Sequence, residues 1–206
     1  MVPNSILIHI LLGALAFIHS SGAPLTAFTG TDTLVQQDKV IASLEVFPNF
    51  DLNFEVKINS VPEYLKNILH VGTSYNGDTH SRLPAIWLKE SENGRYDAAR
   101  LRIFISTSST ESLRTIGCVP DPFLSVGRWY KVHIRVESNF LRVSYDGVEQ
   151  CVQRVPPTDG LGKLGKFWAS NDRNSPADAE IRNIVYDPVV VRPPLPGSPE
   201  PNPPTE

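Results

Sequence analysis

The chain has 206 residues, with 19 Lys and Arg against 22 Asp and Glu and a formal net charge of -3. A balance this close to neutral excludes a general nucleic-acid binder and a strongly acidic mineral-binding polymer, so any electrostatic function must come from a local patch. Between two atypical ends lie about 160 residues, a usual length for one domain with a full core.

At the N-terminus, Ile6 to Ile18 is apolar apart from His9, and the small residues Ser20, Ser21, Gly22 and Ala23 follow. The run is short for a bilayer span, so it reads as a signal peptide over residues 1–22, despite lacking Lys and Arg ahead of it. Cleavage near Gly22 or Ala23 would leave a lead-in over 23–31. No later segment is apolar enough to cross a membrane, so the mature chain is expected to be secreted and extracellular, with no integral membrane segment.

Strand patterns then recur along the chain. Leu52, Phe54, Val56 and Ile58 alternate with Asn53, Glu55 and Lys57, a period of two that separates a core face from a solvent face. Val61 to Lys66 is predicted to form a single helical turn. Ile68 to Val71 and Ala85 to Leu88 are short apolar runs, and Leu101, Ile103 and Ile105 alternate with Arg102, Phe104 and Ser106. The clearest stretch is Trp129 to Val152. There Val132, Ile134 and Val136 alternate with Lys131, His133 and Arg135, and Leu141, Val143 and Tyr145 alternate with Arg142 and Ser144. Ser138-Asn139 and Asp146-Gly147 supply the hairpin turns. Lys166 to Ala169 and Ala179 to Tyr186 add further strands. Asn76-Gly77, Asn93-Gly94 and Asp159-Gly160 punctuate the chain with residues that tolerate positive φ. Many short strands without a 3.6-residue period predict an all-β, two-sheet antiparallel sandwich over residues 32–191. Residues 192–206, RPPLPGSPEPNPPTE, form a proline-rich tail that can build neither helix nor sheet.

The chain's cysteines, Cys118 and Cys151, are expected to pair in an oxidising compartment. The bridge would close a loop of about 33 residues and contribute on the order of 3–4 kcal/mol. No Asn-x-Ser/Thr acceptor for N-glycosylation occurs.

Trp129 and Val132 in a W-x-x-V strand, then Leu141, Val143, Asp146 and Gly147 in an L-x-V-x-x-D-G hairpin end, resemble laminin-G-like domains of the concanavalin A-like jelly-roll class. The late ASND...ADAEIRNI segment is similar to the closing loop and strand of secreted invertebrate relatives. The resemblance covers residues 32–190 and implies a jelly-roll sandwich in an extracellular protein. Its motifs are structural, so they speak for fold more than function. Retaining glucanases of the same class carry a Glu-x-Asp-x-Glu strand. This chain has only Glu90-x-Glu92 and Asp178-x-Glu180, which do not complete that pattern, so no carboxylate pair is nominated and a non-catalytic protein is expected.

The first candidate site is a basic face. Pairing Val136 with Leu141 sets Arg135 opposite Arg142 and His133 opposite Ser144, while Lys131 faces Asp146. Opposed arginines repel unless an anion or carboxylate compensates. With Arg102 from an adjacent strand, Lys131, His133, Arg135 and Arg142 would bind a sulfated or carboxylated glycan, or a matrix protein, through charge-assisted contacts. The other reading is a solvated face balanced by Glu55, Glu137 and Glu149.

The second candidate is a rim where Asn76 and Asp78 meet Asn171, Asp172 or Asp178. Some laminin-G-like domains bind calcium at a rim, and calcium favours such oxygen ligands, although turns are rich in Asn and Asp for conformational reasons alone. His70 and His80 are too isolated for a zinc site. Trp87, Trp129 and Trp168 are read as core, with sugar stacking as their alternative role. The function these patterns favour is a secreted, non-catalytic module of the extracellular matrix, including a shell or skeletal matrix. A soluble, calcium-dependent lectin is the alternative.

Overall fold

The computed structural model describes residues 25–28, 31–72, 82–89, 96–107, 114–156, 163–170 and 175–189. The signal-peptide expectation and the proline-rich tail lie outside them. The described strands are β1 (Leu25–Phe28), β2 (Thr33–Leu34), β3 (Val40–Val46), β4 (Phe50–Ile58), β5 (Lys66–Gly72), β6 (Ala85–Leu88), β7 (Ala98–Ala99) and β8 (Leu101–Thr107). They continue with β9 (Arg114–Cys118), β10 (Leu124–Ser125), β11 (Trp129–Glu137), β12 (Phe140–Tyr145), β13 (Val148–Arg154), β14 (Lys163–Trp168) and β15 (Ala179–Pro188). Among the described residues no helix is long and apolar enough to cross a membrane.

These strands form the expected antiparallel jelly-roll sandwich. The first sheet runs β1-β15-β4-β11-β12-β13, with β2 also on β15, and the second runs β3-β14-β5-β6-β8-β9. Alternation explains which side chains go inside: β4 buries Phe50, Leu52, Phe54, Val56 and Ile58, while its intervening polar residues face out. The core closes across the sheets where Tyr186 of β15 stacks on Phe50 at 5.4 Å and meets Phe167 of β14 edge-on at 5.3 Å. The Phe47 N–H donates to the Tyr186 hydroxyl at 2.9 Å, so the buried phenol keeps a polar partner.

Local turn chemistry sets the β11–β12–β13 ribbon. Ser138 and Asn139 have φ of 50° and 67°, and Asp146 and Gly147 have φ of 49° and 84°. Two consecutive positive φ values give the tight turn whose twist matches antiparallel strands. The register follows as expected, with Val136 opposite Leu141, Arg135 opposite Arg142 and His133 opposite Ser144.

Two expectations are corrected. Val61 to Leu65 forms no helical turn, and Lys66 already begins β5; Pro62 and the chain's immediate entry into a strand leave no room for one. Arg102 does not join the first sheet, because β8 pairs with β6 and β9 in the second. The structure also adds strands that the pattern did not reveal, notably β3 and β9 at the two edges of the second sheet. Edge position weakens alternation: β3 reads as a mixture of exposed and half-buried positions with one buried end.

Cys118 and Cys151 form the expected disulfide, with Cα atoms 6.2 Å apart. Cys118 is on β9 and Cys151 on β13, so the bridge fastens one edge of each sheet to the other.

Candidate functional site

The outer face of the first sheet is a grid of alternating charges. Register across β11, β4 and β15 sets Trp129 beside Lys57 and Glu180, then Lys131 beside Glu55 and Arg182. The next rows hold His133 with Asn53, and Arg135 with Asp51. Nearly every cation of this grid meets a carboxylate. Asp51 takes the His133 Nε2 on one oxygen and the Arg135 Nη1 at 3.2 Å on the other. Arg135 also donates from Nε to Glu137 at 2.9 Å, and Arg142 donates to Glu149 at 2.9 Å. Lys57 pairs with Glu180 at 2.7 Å. Arg182 binds Glu55 at 2.8 Å and Asp32 at 3.2 Å, and its guanidinium lies 3.9 Å from the Trp129 ring centre.

The opposed pair Arg135 and Arg142 is therefore relieved within the protein itself. Glu137 and Glu149 were legible in the sequence as balancing acids. Asp51 and Arg182 were not, because their partners lie across strands more than forty residues away along the chain. The Arg182 hydrogen bond, with help from Asn183 and the charges of Arg182 and Lys131, holds the Glu55 carboxyl below its ordinary range against the opposing pull of burial. A carboxylate held ionised in this way accepts hydrogen bonds and is poorly suited to donate a proton.

Asn53, Glu55, Lys131, His133, Gly147 and Asn183 surround a shallow depression of about 290 Å³ on this face. It offers amide, carboxylate, ammonium and imidazole groups within one patch, and Asn183 Nδ2 already donates to Glu55 at 3.1 Å. Such a set matches ligand hydroxyls, which both donate and accept. Arg102 lies on the opposite sheet and contributes nothing to this depression.

Replacing Asp51 with asparagine is expected to leave His133 without its carboxylate and Arg135 with Glu137 alone. Exposed ion pairs contribute only about 0–1 kcal/mol each, so folding should change little. Retention on a heparin column should rise instead, with elution at higher salt than the parent. An unchanged elution point would mean that Asp51 does not mask this face.

Of the calcium candidates, Asn76, Asp78, Asn171 and Asp172 lie outside the described residues. Asp178 accepts from Ser60 Oγ at 2.7 Å and from Asn59 Nδ2 at 3.3 Å. Among the described residues no group of three or more His, Cys, Asp or Glu is placed to hold a metal ion. His80, Glu90, Glu92 and the Asn93-Gly94 pair also fall outside the described residues. Of the three tryptophans, Trp87 and Trp168 are buried as expected and Trp129 is not. Trp129 is half-buried on the outer face of the first sheet, and Trp87 and Trp168 are buried on the outer side of the second, outside the inter-sheet cluster.

Fold and site together define an all-β jelly-roll sandwich with a polar, charge-paired outer face. No family model matches the chain, and no curated protein sequence matches it either. Solved structures similar to it include a mutant of HCR/D, with TM-score 0.49 and 14% identity over 81% of this chain and 41% of that one. A heptameric SAP-like pentraxin from Limulus polyphemus is similar at TM-score 0.48 and 11% identity, covering 80% of this chain and 76% of that chain. A marine alginate lyase from Zobellia galactanivorans is similar at TM-score 0.45 and 13% identity, covering 72% of this chain and 66% of that chain. The chain thus spans less than half of the HCR/D structure and about two thirds of the lyase. These are likenesses of strand architecture, and no ligand or reaction passes from them to this chain.

Proposed function

We propose that the protein is a secreted, non-catalytic binding module of the extracellular matrix, with a laminin-G-like sandwich, that holds a polar saccharide in the depression of the first sheet. The observation that carries this reading is the convergence of Asn53, Glu55, Lys131, His133 and Asn183 around that depression. The disulfide between Cys118 and Cys151 supports an oxidising, extracellular setting. Glu55, the acid in the depression, is engaged by Arg182 and Asn183, which favours ligand contact over proton transfer.

An anionic polysaccharide held by Arg135, Arg142, Lys131 and His133 draws less support. Asp51, Glu137 and Glu149 occupy three of those four groups, and an anion would have to displace them. Binding through hydroxyl contacts should depend weakly on salt, whereas binding through a free cationic patch should fall steeply as ions screen it.

The test is a glycan array with the intact protein at low and moderate salt. Retention of a neutral or weakly charged saccharide, changing by less than about threefold between the two, is expected. Asn53→Ala should reduce that affinity by about tenfold, the loss of roughly 1.4 kcal/mol of hydrogen bonding. No retained glycan, or retention confined to sulfated glycans and lost at moderate salt, would overturn this reading. The same array with added calcium or chelator tests the calcium-dependent lectin variant.

A further inference from the structure

A second set of polar and aromatic groups lies on the outer side of the second sheet. Register places Trp168 beside His70, His70 beside Ala85, Ala85 beside Phe104 and Phe104 beside Gly117. Trp87 and Arg102 form the neighbouring pair two residues along. These positions alternate with Val71, Ile86, Leu88, Leu101 and Ile103, which belong to the inter-sheet core, so the row points away from it. From Trp168 to Phe104 the row crosses three strand spacings, about 14 Å.

Small residues shape this face. Ala85 puts only a methyl group between His70 and Phe104. At Gly117 an added Cβ would fall 2.7 Å from Cδ1 and Cε1 of Phe104, so the missing side chain lets that ring lie over β9. Two cations gather at the same ring: the Arg102 guanidinium lies 4.8 Å from its centre, and that of Arg82 lies 5.8 Å away and 6.0 Å from the Trp87 ring.

Several polar atoms on this face are unmatched. Both ring nitrogens of His70, Nε1 of Trp87 and Nε of Arg102 are buried without a hydrogen-bond partner. His70 is only 1% exposed and packs edge-on against Trp168 at 5.5 Å. Among the described residues no carboxylate pairs with Arg102. Buried polar atoms are nearly always satisfied in folded proteins, so several unsatisfied ones on one face mark a place where something else supplies the partners. Burial, and then the charge of Arg82, lower the His70 pKa to about 4. Its imidazole is therefore neutral at neutral pH and presents one donor and one acceptor.

The geometry points to this face as a second binding site, for a carboxylate-bearing saccharide whose acid group meets Arg102 while a ring face lies against Phe104. The unmatched nitrogens of His70 and Trp87 lie buried beneath that ligand. Arginine favours this chemistry because its planar fork matches a carboxylate, and aromatic faces accept the C–H side of a sugar. Arg102 and Phe104 are half-buried, so they form the accessible mouth, with His70, Trp87 and Trp168 beneath. This site is on the opposite sheet from the depression of the proposed function and stands or falls separately.

Calorimetric titration of the intact protein with oligogalacturonate, and with its neutral carboxyl-reduced analogue, tests the inference. The acidic oligomer should bind at least tenfold more tightly than the neutral one. Arg102→Gln should weaken it at least tenfold, and Arg102→Lys should fall between. In the parent protein the His70 ring proton signals should shift as acidic oligomer is added, a readout that survives if a variant fails to fold. Equal affinity for the two oligomers, no binding of either, retention within twofold in Arg102→Gln, or unmoved His70 signals would overturn the site.

Discussion

Removing the Cys118–Cys151 bridge, as Cys118→Ala with Cys151→Ala or by reduction, is expected to cost the fold about 4 kcal/mol. The bridge joins positions 33 apart in sequence, and restoring that loop's freedom to the unfolded chain favours unfolding by about 3.7 kcal/mol at 25 °C. For a domain of this size the melting temperature should fall by about 7–15 °C. The structure gives the loss a location. β9 and β13 are edge strands of different sheets, tied to each other at Cys118 and Cys151, so opening should begin at that seam. Urea unfolding of oxidised and reduced protein measures the difference. A change below about 1 kcal/mol would show that the seam is already held by packing alone.

Acid should weaken the fold through His70 by about 3 kcal/mol between pH 6.5 and pH 4. In the unfolded chain this histidine titrates near 6.5, whereas burial and the Arg82 charge lower it to about 4 in the fold. Between those values the unfolded chain binds more protons than the folded one, so stability rises with pH across the window. The contribution is whole above 6.5 and is lost progressively as pH falls toward 4. Arg82 lies close enough for its charge to lower the His70 pKa, Arg102 and Lys166 share the outer face, and an acid on that face, Glu45, sits on the edge strand β3, two strands away from β5. Glu55, with its lowered pKa, acts in a different range: its contribution is present above 4.5 and is lost only as pH falls below that. His70→Phe keeps an aromatic ring against Trp168 and removes the titration. Its stability should therefore change less than that of the parent between pH 7 and pH 4.5, by about 2–3 kcal/mol. Parallel pH dependences for parent and variant would mean that His70 does not carry the acid sensitivity.

Much of the architecture was legible beforehand because alternation is a local property. The inward row Leu52, Phe54, Val56, Ile58 and the outward row Asn53, Glu55, Lys57 are where the period of two puts them. The hairpin from Trp129 to Val152 was readable to the residue, since Ser138-Asn139 and Asp146-Gly147 determine its register through their backbone angles. The edge strand β3 was not, because a strand that meets a neighbour on one side has less reason to alternate. The helical turn expected over Val61 to Lys66 is absent, because the chain passes directly into β5 at Lys66.

The candidate sites separate along the same line. Sequence placed Lys131, His133, Arg135 and Arg142 on one face, and the structure keeps them there. It could not say that Asp51 would stand between His133 and Arg135, or that Arg182 of β15 would pair with Glu55 on the adjacent β4. It also could not assign Arg102 to the second sheet, where its neighbours are Trp87 and Phe104.

The amino-acid order by itself determined which side of each strand faces inward and how neighbouring hairpins align, because both depend on a two-residue repeat and on a few turn angles. Tertiary structure alone decided which distant strands lie side by side, and hence which charges are neutralised and which nitrogens stay unmatched. Lateral placement follows from burying two apolar faces against each other over long chain separations, a collective requirement that no local window encodes.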